Sequence, residues 1–472
     1  MKKESPTGQP NFVVVLTDDQ GRWAMPQRMP ELHMPNLAKL SEESLELDQF
    51  FCTSPVCSPS RASLLTGRMP SAHGVHDWLV GERHPDAKPD LYLEGQSTTP
   101  EVLAEAGYEC MMSGKWHVGH SQWPAPGFEK WYAHRFGGSP YFNAPMWQDG
   151  QPIEQEGYLT HAITKNGLSF LRSRDTTRPF YLQVNYTAPH SPWVNNHPAE
   201  YLEKYDGSDF PSVPREARHP WSHEQREYDA AFVDPVSHLA GYCASLTAVD
   251  EGLGQLRAEL EKQGVWDSTV VLFTSDNGFS CGHHGIWGKG NATLPLNFWD
   301  NSVRVPAVAR LPGGASGVAD NLLSAAGWHA TVCELAGVER PGDQWGIGDS
   351  FAGLLRGEPQ ESAENVVVLA EYGQGRMITD GRWKLVLRSE GPCELYDQFN
   401  DPNELDNVFD ARPSRGIQTD LTAALGDWFA IHERPGMEAF HRSVKGYGQV
   451  HPVSRGRSDD EMYVQEPDED LG

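Results

Sequence analysis

The chain has 472 residues, an ordinary apolar content and a formal net charge of −27. This length predicts two or three domains, or one large domain with an appendage. The negative charge argues against a general nucleic-acid-binding protein, because neutralising phosphates requires clustered Lys and Arg. It also disfavours binding of a long polyanion over a broad surface.

The N-terminus and the cysteines favour a cytoplasmic location. No apolar run is long enough to cross a bilayer, and residues 1–10 contain lysines without the apolar segment of a secretory signal. Seven cysteines are spread singly along the chain without CxxC spacing, which is not typical of a disulfide framework. We therefore predict no membrane partner and no nucleic-acid partner. The oligomeric state stays open.

Short β-branched runs alternate with helical patterns through most of the chain. Predicted strands are Phe12–Thr17, Tyr108–Gly114, Pro179–Tyr186, Thr269–Gly278 and Val305–Leu311. Predicted helices begin at Pro35, Thr98, His238 and Ala325. This alternation indicates an α/β fold, in which a mostly parallel sheet is flanked by helices on both faces.

The pattern changes near residue 365, after which strand-like runs follow one another with little room for helices. An amphipathic stretch at Thr419–His432 closes this region. We predict a catalytic α/β domain over residues 1–364, a smaller antiparallel-sheet-plus-helix subdomain over 365–434, and a C-terminal tail over 435–472. The segment Asp206–Val236 is predicted to be a long loop.

Oxygen-bearing side chains follow two of the predicted strands. Asp18 and Asp19 end the first strand, and Asp276 and Asn277 end the strand that begins at Thr269. Ligands of open α/β sheets bind beyond the carboxyl ends of the strands. Four hard oxygen donors suit Ca²⁺ or Mg²⁺ better than zinc, although each pair taken alone is better explained as loop or turn residues.

Basic side chains follow the same predicted strands. These residues are Lys115, His117, His190, His284 and Lys289. A lone histidine is usually structural, and a lone lysine is usually a solvated charge. Their convergence beside a candidate metal site predicts a site for a compact anion.

The stretch PVCSPSRASLLTGR, residues 55–68, contains the remaining candidate group. Pro59 fits the start of a helix, and Arg61 lies one turn beyond Cys57. A helix N-terminus and a guanidinium both lower a thiol pKa, so Cys57 could be an activated thiolate. A thiolate is a soft ligand, however, beside four hard oxygen donors. This mismatch indicates that Cys57 does not act as sulfur.

The run CSPSRASLLTGR resembles the signature of the formylglycine-dependent (type I) sulfatases of the alkaline phosphatase-like superfamily. That signature is Cys or Ser, any residue, Pro, any residue and Arg, followed by a helix and TGR. Six more fragments occur in the family's order: VVLTDDQ, GKWHVG, APHSP, SDNG with GHHGIWGKG, SVRVP and ELYDQFNDPNELDN. The resemblance implies an alkaline-phosphatase-like α/β fold with a smaller C-terminal subdomain.

The resemblance also implies a modified cysteine and a metal ion. A formylglycine-generating maturation enzyme that reads CxPxR would oxidise Cys57 to an aldehyde. One hydroxyl of the hydrated aldehyde attacks sulfur, and the other later expels sulfate by re-forming the carbonyl. Asp18, Asp19, Asp276 and Asn277, together with the modified Cys57, resemble the ligands of Ca²⁺, with Mg²⁺ as the alternative ion.

The remaining roles follow from the same resemblance. Arg61 is expected to hold the diol and the carboxylates in place. Lys115 and Lys289 are expected to clamp the sulfate oxygens as negative charge builds on them. His117 is the expected base for the second hydroxyl, and His190 the expected acid for the leaving alcohol.

Four further residues are candidates for substrate binding. His284 stands where the family places a site histidine, and His283 stands where many relatives have an acid. Trp78 and Trp193 fall in predicted loops, from which an aromatic face could stack on a sugar or aryl group. Packing within the protein is the simpler expectation for both tryptophans.

The leading hypothesis is therefore a sulfatase that acts on a small sulfated substrate, a sugar sulfate cut in exo fashion. An aryl or alkyl sulfate is the next option. The same fold also accommodates a phosphodiesterase or phosphonate monoester hydrolase, because phosphoryl and sulfuryl groups share geometry and size. A non-catalytic binding protein with unmodified Cys57 is the hypothesis from another class.

Overall fold

The computed structural model describes residues 8–81, 90–223, 226–340, 342, 345–347, 349–442, 444, 446–453 and 457–466. The strands are β1 (Asn11–Thr17), β2 (Leu45–Leu47), β3 (Phe50–Phe51), β4 (Glu109–Gly114), β5 (Phe128–His134), β6 (Phe142–Gln148), β7 (Gln151–Tyr158), β8 (Phe180–Asn185), β9 (Thr269–Ser275), β10 (Ser280–Cys281), β11 (Trp287–Gly288), β12 (Ala307–Arg310), β13 (Gly317–Ala319), β14 (Leu323–Ser324), β15 (Val366–Ala370), β16 (Gly375–Thr379), β17 (Trp383–Arg388) and β18 (Glu394–Asp397). The α-helices are α1 (Pro35–Glu42), α2 (Cys57–Thr66), α3 (Pro70–His73), α4 (Thr99–Glu105), α5 (Leu159–Arg172), α6 (Ala199–Leu202), α7 (Arg226–Val233), α8 (Pro235–Lys262), α9 (Asp300–Val303), α10 (Gly327–Ala336), α11 (Ala352–Arg356), α12 (Arg415–His432) and α13 (Asp459–Met462).

A ten-stranded sheet forms the centre, in the order β13-β2-β12-β9-β1-β8-β4-β5-β6-β7. Strands β9, β1, β8, β4 and β5 are mutually parallel, and β12, β6 and β7 add antiparallel pairs on either side. One buried cluster lies on each face of the sheet. The predicted α/β fold with a mostly parallel sheet and flanking helices is confirmed.

Strand β1 shows why the middle of the sheet forms as predicted. Its sequence NFVVVLT is buried throughout, as expected for a central parallel strand covered on both faces. The long helix α8 begins at Pro235, and the carboxylate of its N-cap residue Asp234 accepts from the Ser237 N–H at 3.2 Å. Helix α8 packs on α5 and α1, which places it across one face of the sheet.

Three outcomes differ from the sequence expectations. Strands β5, β6 and β7 were not predicted. The Asp206–Val236 segment contains helix α7 rather than loop alone. Strand β12, within the predicted Val305–Leu311 run, is antiparallel to β9. No helix in the described part of the chain is long and apolar enough to span a membrane.

The C-terminal region contains the antiparallel sheet β15-β16-β17-β18, with α12 packed on β16 and β17. A buried ion-pair cluster joins this sheet to the main domain. Lys384 on β17 is fully buried, contacts the carboxylates of Asp300 and Glu404, and donates to the Phe298 carbonyl at 3.1 Å. Because Asp300 begins α9 of the main domain, Lys384 links the two parts.

Replacing Lys384 with methionine should destabilise the protein by about 3–5 kcal/mol. Glu404 would then be buried without its cation, and Asp300 would keep Arg304 as a cationic partner. A lower midpoint of urea denaturation would show this loss. Lys39→Met provides the control, because Lys39 is an exposed residue of α1. Equal midpoints for the two variants would contradict the structural role of Lys384.

Candidate active site

The strand register brings two acidic loops together. Strands β1 and β9 run parallel with Thr17 opposite Ser275, so the residues that follow each strand become neighbours. The Asp276 N–H donates to the Thr17 carbonyl at 3.1 Å. Beyond it, the Asn277 side-chain amide donates to Asp19 Oδ1 at 2.7 Å.

Helix α2 points its first residue at this acidic pair. Cys57 begins the helix, and its Sγ lies 3.2 Å from Asp18 Oδ1 and 2.9 Å from Lys289 Nζ. All ten residues of α2 are buried, so the helix start has little freedom to move. The sulfur of Cys57 therefore lies among the predicted metal and anion ligands.

Arg61 connects three parts of the site. Its Nε donates to Asp276 Oδ2 at 2.7 Å, and its Nη1 donates to the Lys115 carbonyl at 2.9 Å. Its Nη2 lies 4.0 Å from Asp18 Oδ1. The fixed fork of a guanidinium suits such a buried bridge between carboxylates.

Two buried lysines neutralise the carboxylates. Lys115 Nζ contacts the Asp18 carboxylate, and Lys289 Nζ lies 2.5 Å from Asp19 Oδ1. Burial opposes the charged form of Lys289, but Asp19 and the other acids nevertheless raise its pKa well above its ordinary value. Both ammonium groups are thus held beside Cys57, where a bound anion would meet them.

The donor set fits a divalent cation. Ligand atoms of Asp18, Asp19, Asp276 and Cys57 all lie within 4.8 Å of one another. Two buried oxygens, Asp19 Oδ2 and Asn277 Oδ1, have no hydrogen-bond partner. Orphaned acceptors of this kind are costly unless a cation or donor meets them. This buried cluster is able to bind a metal ion with hard oxygen ligands.

The carboxylates of the cluster differ in their electrostatics. Burial and the neighbouring Asp18 raise the pKa of Asp276 above its ordinary value. Burial acts in the same direction on Asp18, but Lys115 overcomes it, and the pKa of Asp18 falls below its ordinary value. Of these two carboxylates, Asp18, which Lys115 holds, is therefore the more strongly ionised.

Burial and the neighbouring Asp18 raise the pKa of the Cys57 thiol. The thiol form is therefore favoured, despite the helix N-terminus and Arg61. This environment does not favour the activated-thiolate alternative, because a nucleophilic cysteine needs a lowered pKa.

His117 is fixed in one tautomer. Its Nε2 donates to the Leu79 carbonyl at 3.0 Å, which leaves Nδ1 buried and without a hydrogen-bond partner. Burial lowers the pKa of His117 well below its usual range, and Lys115 and Arg61 add to the effect. His117 is thus a neutral imidazole with an available acceptor nitrogen.

His190 has the opposite hydrogen-bond arrangement. Its Nδ1 donates to the Ser191 carbonyl at 2.8 Å, and its Nε2 lies 3.9 Å from Asp19 Oδ2. The ring is about a quarter exposed, so Nε2 can reach a bound molecule.

Two glycines pack against these histidines. A Cβ added at Gly137 would lie 2.5 Å from Cε1 of His117, and one at Gly138 would lie 2.9 Å from Cε1 of His190. Sequence reasoning missed this Gly-Gly pair after β5, although the doublet itself signals a close approach of backbone.

Gly137→Ala should reduce kcat by about 10–100-fold, because a shift of the His117 ring of about 1 Å spoils the geometry of proton transfer. Steady-state hydrolysis of an aryl sulfate measures the effect. Gly426→Ala on α12, where an added Cβ meets nothing within 4 Å, is the control. An unchanged kcat in Gly137→Ala would show that this loop does not fix the ring.

The remaining candidates, His283, His284 and Trp78, make contacts with other parts of the protein. His284 stacks on Trp299 with ring centroids 4.3 Å apart, and His283 packs against Trp23 at 4.8 Å. Trp78 is half-buried, and its indole N–H donates to the Gly446 carbonyl at 3.3 Å. Substrate contact by His283, His284 and Trp78 stays a prediction.

The candidate role of Trp193 in stacking on a substrate is wrong, and the simpler expectation of packing holds for this residue. Its side chain is 1% exposed, its indole N–H donates to the Pro189 carbonyl, and its ring packs against Tyr228 and Tyr242. A buried ring of this kind has no face left for a substrate. The aromatic cluster around it supports the loop that presents His190.

Family models identify the class of protein to which this fold and centre belong. A family model described as Sulfatase matches residues 10–338, and one described as N-sulphoglucosamine sulphohydrolase, C-terminal, matches residues 282–429. The chain belongs to the sulfatase family and is a sulfuric ester hydrolase.

Named relatives agree with this assignment. An N-acetylglucosamine-6-O-sulfatase of Bacteroides thetaiotaomicron is 26% identical over 85% of this chain and 83% of its own length. A choline-sulfatase of Rhizobium meliloti is 27% identical over 93% of this chain and 89% of its own. A solved structure, described as a complex with its substrate D-glucosamine-2-N,6-O-disulfate, superposes with a TM-score of 0.73 at 23% identity, covering 90% of this chain and 98% of that one.

Proposed function

We propose that this sulfatase removes sulfate from a small sulfated carbohydrate in exo fashion, using formylglycine made from Cys57 and a bound Ca²⁺, with Mg²⁺ as the alternative ion. The main support is the convergence of three carboxylates, one carboxamide and two lysines around Cys57 Sγ. The hydrated aldehyde would supply an oxygen nucleophile that can later release sulfate by re-forming its carbonyl.

The proposed metal ligands are Asp18, Asp19, Asp276 and Asn277, with the modified Cys57. Ca²⁺ would lower the pKa of the attacking hydroxyl and polarise a sulfate oxygen. The orphaned oxygens of Asp19 and Asn277 support this set, since both need a positive partner. Arg61, already bonded to Asp276, would keep the carboxylates aligned.

Lys115 and Lys289 would bind the sulfate oxygens. Both ammonium groups now face carboxylates that the metal ion would neutralise instead, which leaves the lysines available to the substrate. Their charge, fixed in a dry site, would stabilise the charge that develops on the transferred group.

The two histidines suit opposite proton transfers. His117 presents a free Nδ1 because its Nε2 hydrogen is committed to Leu79, so it would act as the base for the second hydroxyl. His190 presents Nε2, because its Nδ1 hydrogen is committed to Ser191. As the imidazolium it would carry a second proton on Nε2 and donate that proton to the leaving alcohol.

Maturation of Cys57 would require a partner enzyme that recognises CSPSR. Cys57 and Arg61 are each 3% exposed, and the whole of α2 is buried. An enzyme that reads this run must therefore reach it before the chain folds.

A carbohydrate substrate is proposed from the relatives, whose names include an N-acetylglucosamine-6-O-sulfatase and a complex with a glucosamine disulfate. The net charge of −27 favours a small, terminal sulfate ester over the interior of a long polyanion.

Hydrolysis of a substrate panel tests the proposal. The panel contains sulfated mono- and disaccharides, a longer sulfated oligosaccharide, choline sulfate, an aryl sulfate and an aryl phosphonate. We expect the highest kcat/KM for a sulfated mono- or disaccharide, and sulfate release from the longer chain only at its end. A higher kcat/KM for choline sulfate or the aryl sulfate would overturn the carbohydrate assignment. Faster cleavage of the aryl phosphonate would overturn sulfate as the preferred group.

A further inference from the structure

The C-terminal region packs against residues 74–80. Residues 446–453 and 457–464, here called the strap, form a narrow paired structure in which Gln449 bridges Tyr463. The Val450 N–H donates to the Met462 carbonyl at 2.9 Å. Gln449 and Met462 are fully buried, and Tyr463 is 1% exposed. The strap is therefore a packed element, although its sequence lacks periodicity and predicts a tail.

The strap pairs with residues 78–80. Gln449 forms a parallel bridge with Leu79, in which the Gln449 N–H donates to the Trp78 carbonyl at 2.8 Å and the Val80 N–H donates to the Gln449 carbonyl at 3.3 Å. Backbone groups of successive residues in an extended segment point to opposite sides. The N–H and C=O of Leu79 consequently face away from the strap, toward the active site.

Both backbone groups of Leu79 bond to the catalytic elements. Its N–H donates to Ser58 Oγ at 3.1 Å, and its carbonyl accepts from His117 Nε2 at 3.0 Å. Ser58 follows Cys57 in the first turn of α2. Leu79 thus ties the start of the nucleophile helix to the candidate base.

The Gln449 side chain fixes the turn that leads into this segment. Its Oε1 accepts from the His76 N–H at 2.8 Å, and its Nε2 donates to the carbonyls of Gly74 and His451, each at 3.0 Å. The Tyr463 hydroxyl lies 2.7 Å from His76 Nδ1. Every polar group of this buried amide is paired, so the turn has one defined position.

We propose that the strap is a positioning element for catalysis: Gly448 and Gln449 hold Leu79 so that its carbonyl keeps His117 in the tautomer with a free Nδ1. The proposal rests on the proposed function, in which His117 acts as a base after the alcohol has left. Weakening the strap should therefore slow sulfate release more than alcohol release.

Gly448 offers a direct test. Its φ is +115°, and an added Cβ would lie 2.3 Å from Cγ1 of Val80, so Gly448→Ala should displace the strap from residues 78–80. Gly436→Ala is the matched control, because its φ is +85° and an added Cβ meets nothing within 4 Å. Both variants suffer backbone strain, but only Gly448→Ala disturbs the pairing.

With an aryl sulfate, we expect Gly448→Ala to lower kcat and KM together by about 10–100-fold and to leave kcat/KM near the wild-type value, because only the step after alcohol release is slowed. Rapid-mixing measurements should show a first-turnover burst of alcohol ahead of sulfate in this variant. Gly436→Ala should show the wild-type kcat and no burst, with a thermal midpoint similar to that of Gly448→Ala. Equal effects in the two variants, or a lower kcat without a burst, would overturn the proposal.

A second pair keeps the test valid if Gly448→Ala folds poorly. Gln449→Ala removes the side-chain hydrogen bonds to the turn. Gln465→Ala removes only the side-chain hydrogen bonds from Gln465 to the Asp459 and Tyr463 carbonyls of the strap. Gln449→Ala should show the burst, and Gln465→Ala should not.

The variant His117→Ala distinguishes a failure of the strap proposal from a failure of the proposed role of His117 as a base. If the wild type hydrolyses sulfate esters and His117→Ala shows the burst, but neither Gly448→Ala nor Gln449→Ala does, the strap proposal alone fails. If His117→Ala shows no burst, the proposed role of His117 fails.

Discussion

Cys57→Ala will lower kcat/KM for sulfate-ester hydrolysis by at least about 10⁴-fold, the scale of losing a nucleophile. The variant has no aldehyde precursor, and it also loses a ligand atom that lies 3.2 Å from Asp18. The measurement is steady-state hydrolysis of an aryl sulfate by protein made in cells that contain the maturation enzyme.

Cys333→Ala is the control for this experiment. Cys333 is a buried free thiol on α10, so its loss should affect packing and leave catalysis largely intact. Near-wild-type activity in Cys57→Ala would mean that the reaction uses another nucleophile.

Removing the proposed Ca²⁺ should abolish hydrolysis and lower thermal stability. The acidic cluster then has orphaned oxygens on Asp19 and Asn277, and the buried negative charge lacks its divalent partner. Restoring Ca²⁺ to about 100 times its Kd should stabilise the fold by about 2.7 kcal/mol and recover activity. Chelation followed by titration with Ca²⁺ or Mg²⁺, monitored by thermal unfolding and by rate, measures both effects.

Asp19→Asn should abolish both responses to added Ca²⁺, because an amide is a weaker ligand than a carboxylate for a hard cation. Asp267→Asn is the control, since that side chain is 97% exposed and lies outside the cluster. A full thermal response to Ca²⁺ in Asp19→Asn would place the ion elsewhere.

The sequence predicted much of the fold for a simple reason. Buried parallel strands are short β-branched runs, and their carboxyl ends lie at one edge of the sheet. The sequence therefore predicted that Asp18 and Asp276 lie close together. The register of β1 with β9 places them side by side. Strands β5, β6 and β7 were not predicted, because polar and aromatic residues interrupt the alternation of apolar and polar side chains.

Backbone and long-range contacts could not be predicted. The Leu79 carbonyl that orients His117 has no side-chain signal, because the accepting atom is common to every residue. Gln449 lies far along the chain from its partners at residues 74–80, and its pattern is neither helical nor alternating. Trp193 illustrates the opposite error, since a loop position did not prevent burial within a cluster of aromatic rings.

The most direct test of the mechanism is the mass of the proteolytic peptide that contains Cys57, taken from active protein matured in its own cells. The proposed mechanism predicts an aldehyde, with a CHO group where cysteine has CH₂SH. A peptide that retains the intact thiol, from a preparation that turns over a sulfate ester, would contradict it.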